Sequence, residues 1–326
     1  MILFCIHNLG NLTGTKREYN VRQRKIIITG ASGLVGRYLV TQIQTDNSYD
    51  IYVTVHKSLP KFGKNIQLDL SQTENISKKF KEIRPDVIVN LAAIANVDTC
   101  EIEPDLAMRL NRDLVAAISK YINDNNKPYF LHVSTDYVFD GNDGNYMEDS
   151  QTNPVNWYGI TKLQGENEII SRLTEGNWCI ARTSTPFGVH PTKQSFPIFL
   201  LEKLRKGQSV KVVIDQYTSP TYAMNLADML KEIIDRRTEG IIHTCGASRL
   251  SRYEQALKIS REFGLNEKLI LKVISDEMNW KAKRPKDSSL NMNKACKLLT
   301  QNKPKSFDDA LAQFAKEIYD ISLLNG

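Results

Sequence analysis

With 326 residues, 41% of them hydrophobic and 25% charged, the chain has the composition of a globular protein long enough for two domains that share a core. The net charge of +6 is mild, and the basic clusters KKFKEIR (78–84) and KAKRPK (281–286) are too short to form the stripe of a nucleic-acid binder. No apolar run approaches the roughly 18–20 residues of a membrane span, and the opening MILFCIHNLG lacks a basic leader and a cleavage site, so neither membrane span nor signal peptide is expected.

Residues 1–24 turn polar after six apolar positions and read as a loosely ordered N-terminal extension. From Lys25 onward, apolar strand-like runs alternate with amphipathic helical segments. KIIIT (25–29) passes through a glycine turn into a helix ending near Gln44, and IYVTV (51–55) follows. NIQLDL (65–70) leads into a helix from about Ser71. DVIVNLAA (86–93) precedes one helix through NRDLVAAISKYI, and YFLHVST (129–135) and WCIARTS (178–184) are the next strands. Continuous apolar strands separated by helices mean a parallel sheet covered on both faces. The expected fold class is therefore α/β, a Rossmann-type doubly wound parallel sheet over residues 25–187.

Beyond Pro186 the alternation is irregular: a helix near 197–206, a strand KVVID (211–215), a helix at 223–235, a strand GIIHT (240–244) and a mostly helical tail. Residues 188–326 should form mainly a smaller, mixed substrate-binding lobe over the carboxyl edge of the sheet, with elements of 223–245 packing back on the first domain. The five cysteines (Cys5, Cys100, Cys179, Cys245, Cys296) are scattered without a C-x-x-C, which fits a reducing cytoplasm better than disulfides or zinc. The histidines are equally dispersed, so no metal site is expected.

The turn ITGASGLVGR sets Gly30, Gly33 and Gly36 after the first strand and at a helix start. Glycine permits the positive φ and close backbone approach that such a turn needs, and the exposed N–H groups of a helix start suit a pyrophosphate. Gly30, Ser32, Gly33, Leu34, Val35 and Gly36 are the expected dinucleotide cradle, although the spacing is G-x-x-G-x-x-G rather than G-x-G-x-x-G. Roughly 20 positions on, where a carboxylate would select NAD, the chain reads VTVHKS. Lys57 and Arg37 suit a 2′-phosphate instead, so NADPH is expected, with NADH an open alternative.

In PVNWYGITKLQGE, Tyr158 and Lys162 stand four positions apart and so share a helix face. On spacing alone they could be catalytic or merely exposed. Lowering a phenol pKa of about 10 by about three units takes roughly 4 kcal/mol. An ammonium about 4 Å away supplies about that much at an effective dielectric of 20.

Taken together, these stretches resemble the extended short-chain dehydrogenase/reductases, and within them the dTDP-4-dehydrorhamnose reductases. TGASGLVGR, RPDVIVNLAA, VDTCE, HVSTDYVFDG, PVNWYGITKLQGE, ARTS, DQYTSPTY, SRYEQA and Arg284-Pro285 stand in the family's order over most of the chain. The resemblance implies a catalytic Thr135, Tyr158 and Lys162, with Tyr158 and Lys162 also meeting the cofactor. It implies Asp69 and Leu70 around the adenine, Ala92 and Ala93 where the cofactor passes the backbone, and a supporting Asn111 in the cofactor site. Asp136 and Arg284 would face the substrate, Arg284 its diphosphate.

The implied activity is NADPH-dependent reduction of the 4-keto group of a nucleotide-activated deoxysugar, as in dTDP-L-rhamnose biosynthesis, with the nucleotide sugar as partner and a homodimer left open. Ile94, the tryptophan-free SRYEQA and Thr185-Pro186 depart from the common pattern and point to a remodelled sugar wall. A dehydratase is disfavoured because Tyr137, not glutamate, follows Thr135-Asp136. An epimerase remains an alternative, as does a non-catalytic NADP-binding regulatory subunit resembling the beta subunit of methionine adenosyltransferase.

Overall fold

A computed structural model describes residues 22–45, 47–55, 63–174 and 176–324. Lys57 and most of the N-terminal extension lie outside the described residues. The first half runs β1 (Arg24–Thr29), α1 (Leu34–Gln44), β2 (Tyr49–Val55), β3 (Lys64–Gln67), α2 (Glu74–Ile83) and β4 (Val87–Asn90). The connection to β5 (Tyr129–Thr135) carries α3 (Val97–Ile102), α4 (Pro104–Met108), a π turn (Arg109–Asp113) and α5 (Leu114–Asp124). Then α6 (Trp157–Arg172) leads to β6 (Trp178–Thr183). The remainder comprises β7 (Pro186–Phe187), α7 (Phe196–Arg205), β8 (Val210–Val213), β9 (Tyr217–Thr218), β10 (Thr221–Tyr222), α8 (Ala223–Arg236) and β11 (Gly240–His243). It closes with β12 (Leu250–Ser251), α9 (Arg252–Glu262), β13 (Ile270–Val273), α10 (Asn293–Leu298) and α11 (Phe307–Leu324).

Among the described residues the large sheet has seven strands in the order β11-β6-β5-β4-β1-β2-β3, and every pairing is parallel. Ile26, Ile27 and Ile28 of β1 are all fully buried because both sheet faces are covered, which is why the strand reads as an unbroken β-branched run. One apolar cluster joins the sheet to α1 and α8, and a second joins it to α2 and α5. β11 extends the sheet beside β6. A third cluster gathers α7, α9 and α11 around Phe187, Phe307 and Phe314, and short pairs β7/β10, β9/β12 and β8/β13 complete this part.

The strand order reverses at β1 and β4, so the crevice outside their carboxyl ends is where this architecture places a ligand. The pattern NRDLVAAISKYI predicts one regular helix, and the structure interrupts it with the π turn at 109–113. Such a bulge re-aims a side chain. Here it turns the fully buried Asn111 inward, where its carbonyl packs on Gly165 of α6. A Cβ at Gly165 would lie 2.4 Å from that oxygen.

Candidate active site

The glycine turn builds the floor of the crevice. Gly30 has φ of +71°, and a Cβ there would meet the backbone nitrogen of Ala92 at 2.6 Å. Only glycine lets β1 and the end of β4 come this close. A Cβ on Gly36 would sit 2.4 Å from the Gly30 carbonyl, so Gly36 is buried as a packing spacer rather than as a contact surface. Among the described residues nothing caps the N-terminus of α1 with a side chain, and its first turn carries no acidic residue, leaving a positive helix end open to an anion. Leu34 and Val35 contribute that helix start while their side chains pack on the core.

Gly30, Ser32, Gly33, Thr54, Val55, Asp69, Leu70, Ala92, Ala93 and Lys193 border one cleft of about 260 Å³. Asp69 there folds a tight turn, its carboxylate accepting from the backbone and hydroxyl of Ser71 at 3.0 and 2.7 Å. Sequence patterns give no hint of Lys193. It is carried to the cleft by a loop in which His190 Nδ1 accepts from the Thr192 and Lys193 backbones, while Nε2 meets the Ser32 carbonyl at 2.9 Å. This cradle, open to an anion at a glycine turn that carries no side-chain bulk, fits a dinucleotide.

At the end of β5 the Thr135 hydroxyl lies beside the Tyr158 phenol and acts to lower its pKa. Asn156 caps the start of α6, its side chain accepting from Gly159 N at 2.9 Å, so that the helix begins at Trp157. Lys162 follows one turn after Tyr158 and is buried. Its ammonium donates to Val133 O at 2.7 Å and meets His132 Nε2 at 3.2 Å.

The expectation that Lys162 acidifies Tyr158 needs correction in this state. Burial dominates and holds the phenol above its ordinary pKa. Thr135 opposes this, while Asp136, Cys100 and Tyr137 add to it, and Lys162 is not among these influences. Burial lowers Lys162 itself to about 8, with Glu166 and Cys100 acting the other way. The phenol is therefore protonated at neutral pH, and the lysine titrates just above it.

Two other expected site residues prove to act from behind the cleft. Asp136 does not face a substrate. It is buried, and its carboxylate accepts from Thr135 Oγ1 at 3.0 Å, Ser184 Oγ at 2.7 Å and Ser288 Oγ at 2.6 Å. Burial raises its pKa and the three hydroxyls oppose that rise. It thus ties the end of β5 to the segments after β6 and before α10. Asn111 likewise does not reach the cofactor cleft. Its amide is spent on both backbone groups of Ile94, at 2.9 and 3.1 Å, and on Thr161 Oγ1 at 3.0 Å.

A second cleft of about 360 Å³ lies beside Tyr137, whose ring meets the Tyr158 ring edge-on at 5.8 Å. Phe196, Trp280, Lys211, Arg252 and Arg284 are among its walls. The Arg284 guanidinium stands 5.4 Å from the Trp280 ring centre and pairs with Asp98 at 3.0 Å, while its buried Nη1 has no partner among the described residues. Asp98 also accepts from the backbones of Lys281 and Ala282, and Asn156 donates to Lys283 O at 2.8 Å. The VDTCE stretch and the helix cap of α6 therefore hold the arginine loop in place. Arg252 sits over Phe196 at 5.2 Å, and burial lowers its pKa. Arg252 lies inside SRYEQA but is not singled out there, and Trp280 is missed because nothing in its local pattern separates it from surface residues.

A family model described as the RmlD substrate binding domain matches residues 24–320. Among solved structures, a dTDP-4-dehydrorhamnose reductase from Bacillus anthracis in complex with NADP superposes with a TM-score of 0.80 at 29% identity, covering 91% of this chain and 100% of that one. Among curated proteins, a probable low-salt glycan biosynthesis reductase of Haloferax volcanii is 29% identical over 290 residues, 87% of this chain and 95% of its own. Methionine adenosyltransferase 2 subunit beta of Mus musculus is 28% identical over 286 residues, 86% of this chain and 84% of its own. With the match running from the first strand into the last helix, the chain belongs to the RmlD substrate-binding-domain family.

Proposed function

We propose that this protein is an NADPH-dependent reductase of the 4-keto group of a nucleotide-activated deoxysugar. The observation that carries the reading is a half-buried phenol beside the Thr135 hydroxyl, adjoining a cleft walled by two arginines and aromatic rings. When bound, the cofactor supplies hydride to the carbonyl carbon. Tyr158 gives its proton to the carbonyl oxygen as the C=O π pair becomes an alkoxide lone pair, and the Thr135 hydroxyl steadies that oxygen. Lys162 holds the ribose end of the cofactor from the floor of the site. The helix start at 34–36 and Lys193 take the pyrophosphate, which leaves the 2′-phosphate to Lys57 and Arg37. In solution, stoichiometric loss of NADPH absorbance with a keto-sugar generated from dTDP-glucose supports the reading, and no loss across a panel of nucleotide keto-sugars overturns it.

Arg284 and Arg252 suit the substrate's diphosphate, because a fork of N–H donors matches phosphate oxygens and Arg284 Nη1 has no partner among the described residues. Arg284→Ala should raise KM for the nucleotide sugar by about 10- to 100-fold, the worth of a charged hydrogen bond, with a smaller effect on kcat. Steady-state kinetics decide this, and an unchanged KM would remove the assignment.

The likeness to a methionine adenosyltransferase beta subunit favours a second reading, an NADP-binding regulatory subunit. Under that reading the protein binds NADPH, turns over none of the sugars and co-purifies with a partner enzyme.

A further inference from the structure

We propose that His132 is the positioning residue for Lys162, and that Thr29, Asn90 and His132 form a buried polar row that decides which ring nitrogen faces the lysine. The three are successive partners across the sheet: Thr29 pairs in register with Asn90, and Asn90 with His132. All are fully buried. Thr29 Oγ1 meets Asn90 Oδ1 at 2.5 Å, Asn90 Nδ2 meets His132 Nδ1 at 3.1 Å, and His132 Nε2 meets Lys162 Nζ at 3.2 Å. At the other end Thr29 Oγ1 accepts from Ala92 N at 3.4 Å, directly under the cofactor cleft. A buried polar row across a sheet is costly unless each member satisfies the next.

Donor counting makes the row directional. A neutral imidazole has one N–H and one bare nitrogen, and an ammonium can only donate. While Lys162 is charged, Nε2 must therefore be bare, Nδ1 must carry the proton, and Asn90 must turn its carbonyl to the ring and its amide to Thr29. Once Lys162 is neutral the row can run the other way, from the Thr29 hydroxyl through the Asn90 amide and Nε2–H to Nζ. The two directions differ only by an amide turn and a ring tautomer, which heavy-atom positions do not distinguish.

Burial and Lys162 together keep His132 well below its ordinary pKa, so the ring stays neutral while the lysine titrates. The other titratable groups acting on Lys162 are Glu166 on the same helix and Cys100 on α3. His132 thus supplies the neutral acceptor that steadies the charged lysine, and the charge state of Lys162 is coupled to the tautomer of a ring two strands from the glycine turn.

Nitrogen-15 NMR of the full-length protein without cofactor tests this, with the His132→Gln spectrum giving the assignment. The expected result is the Nδ1–H tautomer at neutral pH, passing toward Nε2–H as pH rises through about 8, where Lys162 loses its proton. An Nε2–H tautomer at every pH overturns the proposal. This arm needs no turnover and so stands apart from the reductase reading. The second arm rests on that reading. The alkaline limb of kcat, expected near 8, should move about one unit to acid in His132→Leu, a tenfold change in proton affinity. His132→Gln, whose carbonyl can accept from the ammonium, should restore most of it. A folded His132→Leu protein with an unmoved limb overturns the proposal. If the leucine variant does not fold, the tautomer measurement and the glutamine variant decide.

Discussion

Tyr158→Phe should lower kcat by about 10²–10⁴-fold, the usual worth of a positioned proton donor, while NADPH affinity changes far less. The ring itself is retained, with its edge against Tyr137 and its place in the first turn of α6, so only the phenolic O–H is lost. Burial holds this phenol above its ordinary pKa, and the protonated form is the one a carbonyl reduction consumes. Between neutral pH and about 8 the wild-type rate should therefore not follow Tyr158. It should instead fall as Lys162, lowered by burial to about 8, gives up its charge. Steady-state kinetics with a fluorescence titration of NADPH checks both halves. A phenylalanine variant with wild-type kcat would mean that another group delivers the proton.

Glu166→Ala should destabilise the fold by about 3–5 kcal/mol, the cost of leaving a buried charge without its partner. Glu166 on α6 and Arg182 on β6 are almost wholly excluded from solvent, and their closest contact is 2.6 Å. Arg182 also donates from Nε to Glu166 at 3.0 Å, reaches Glu148 O at 3.3 Å and lies over the Phe139 ring at 5.2 Å. Removing the carboxylate strands a guanidinium that is almost wholly buried. Replacing both residues with methionine should cost less than removing Glu166 alone, because no ion is then left buried. Chemical denaturation of the single and double variants reads the difference. An unchanged midpoint in Glu166→Ala would show that the pair is not needed for stability.

Glu166 and Arg182 also show why sequence motifs need sorting. YGITKLQGE and ARTS look like parts of one active site, yet they supply both the Tyr158–Lys162 pair and this buried ion pair. The sheet was legible because a strand covered on both faces must be continuously apolar, as Ile26, Ile27 and Ile28 are. The glycine turn was legible because only glycine fits where Gly30 meets Ala92.

What was not legible depends on distant partners. An aspartate after Thr135 looks like a substrate contact until Ser184 and Ser288, 48 and 152 positions away, close around it. Asn111 is turned inward by a π turn that the regular periodicity of its helix conceals. Lys162 sits at the expected spacing from Tyr158, but its charge is committed to Val133 and His132. Arg252 and Trp280 reach a common cleft only because α9 and the arginine loop are brought together by the fold.

The central claim is that this site moves a hydride to a sugar carbonyl and completes the reduction with the Tyr158 proton. The most direct measurement uses NADPH deuterated at the transferring position, with a nucleotide 4-keto-sugar, and follows the label by mass spectrometry and NMR. Transfer of the deuterium to the sugar ring carbon, one for each NADPH consumed, is the predicted result. Label that stays in the cofactor while the sugar is unchanged, or is epimerised without net reduction, would contradict the account.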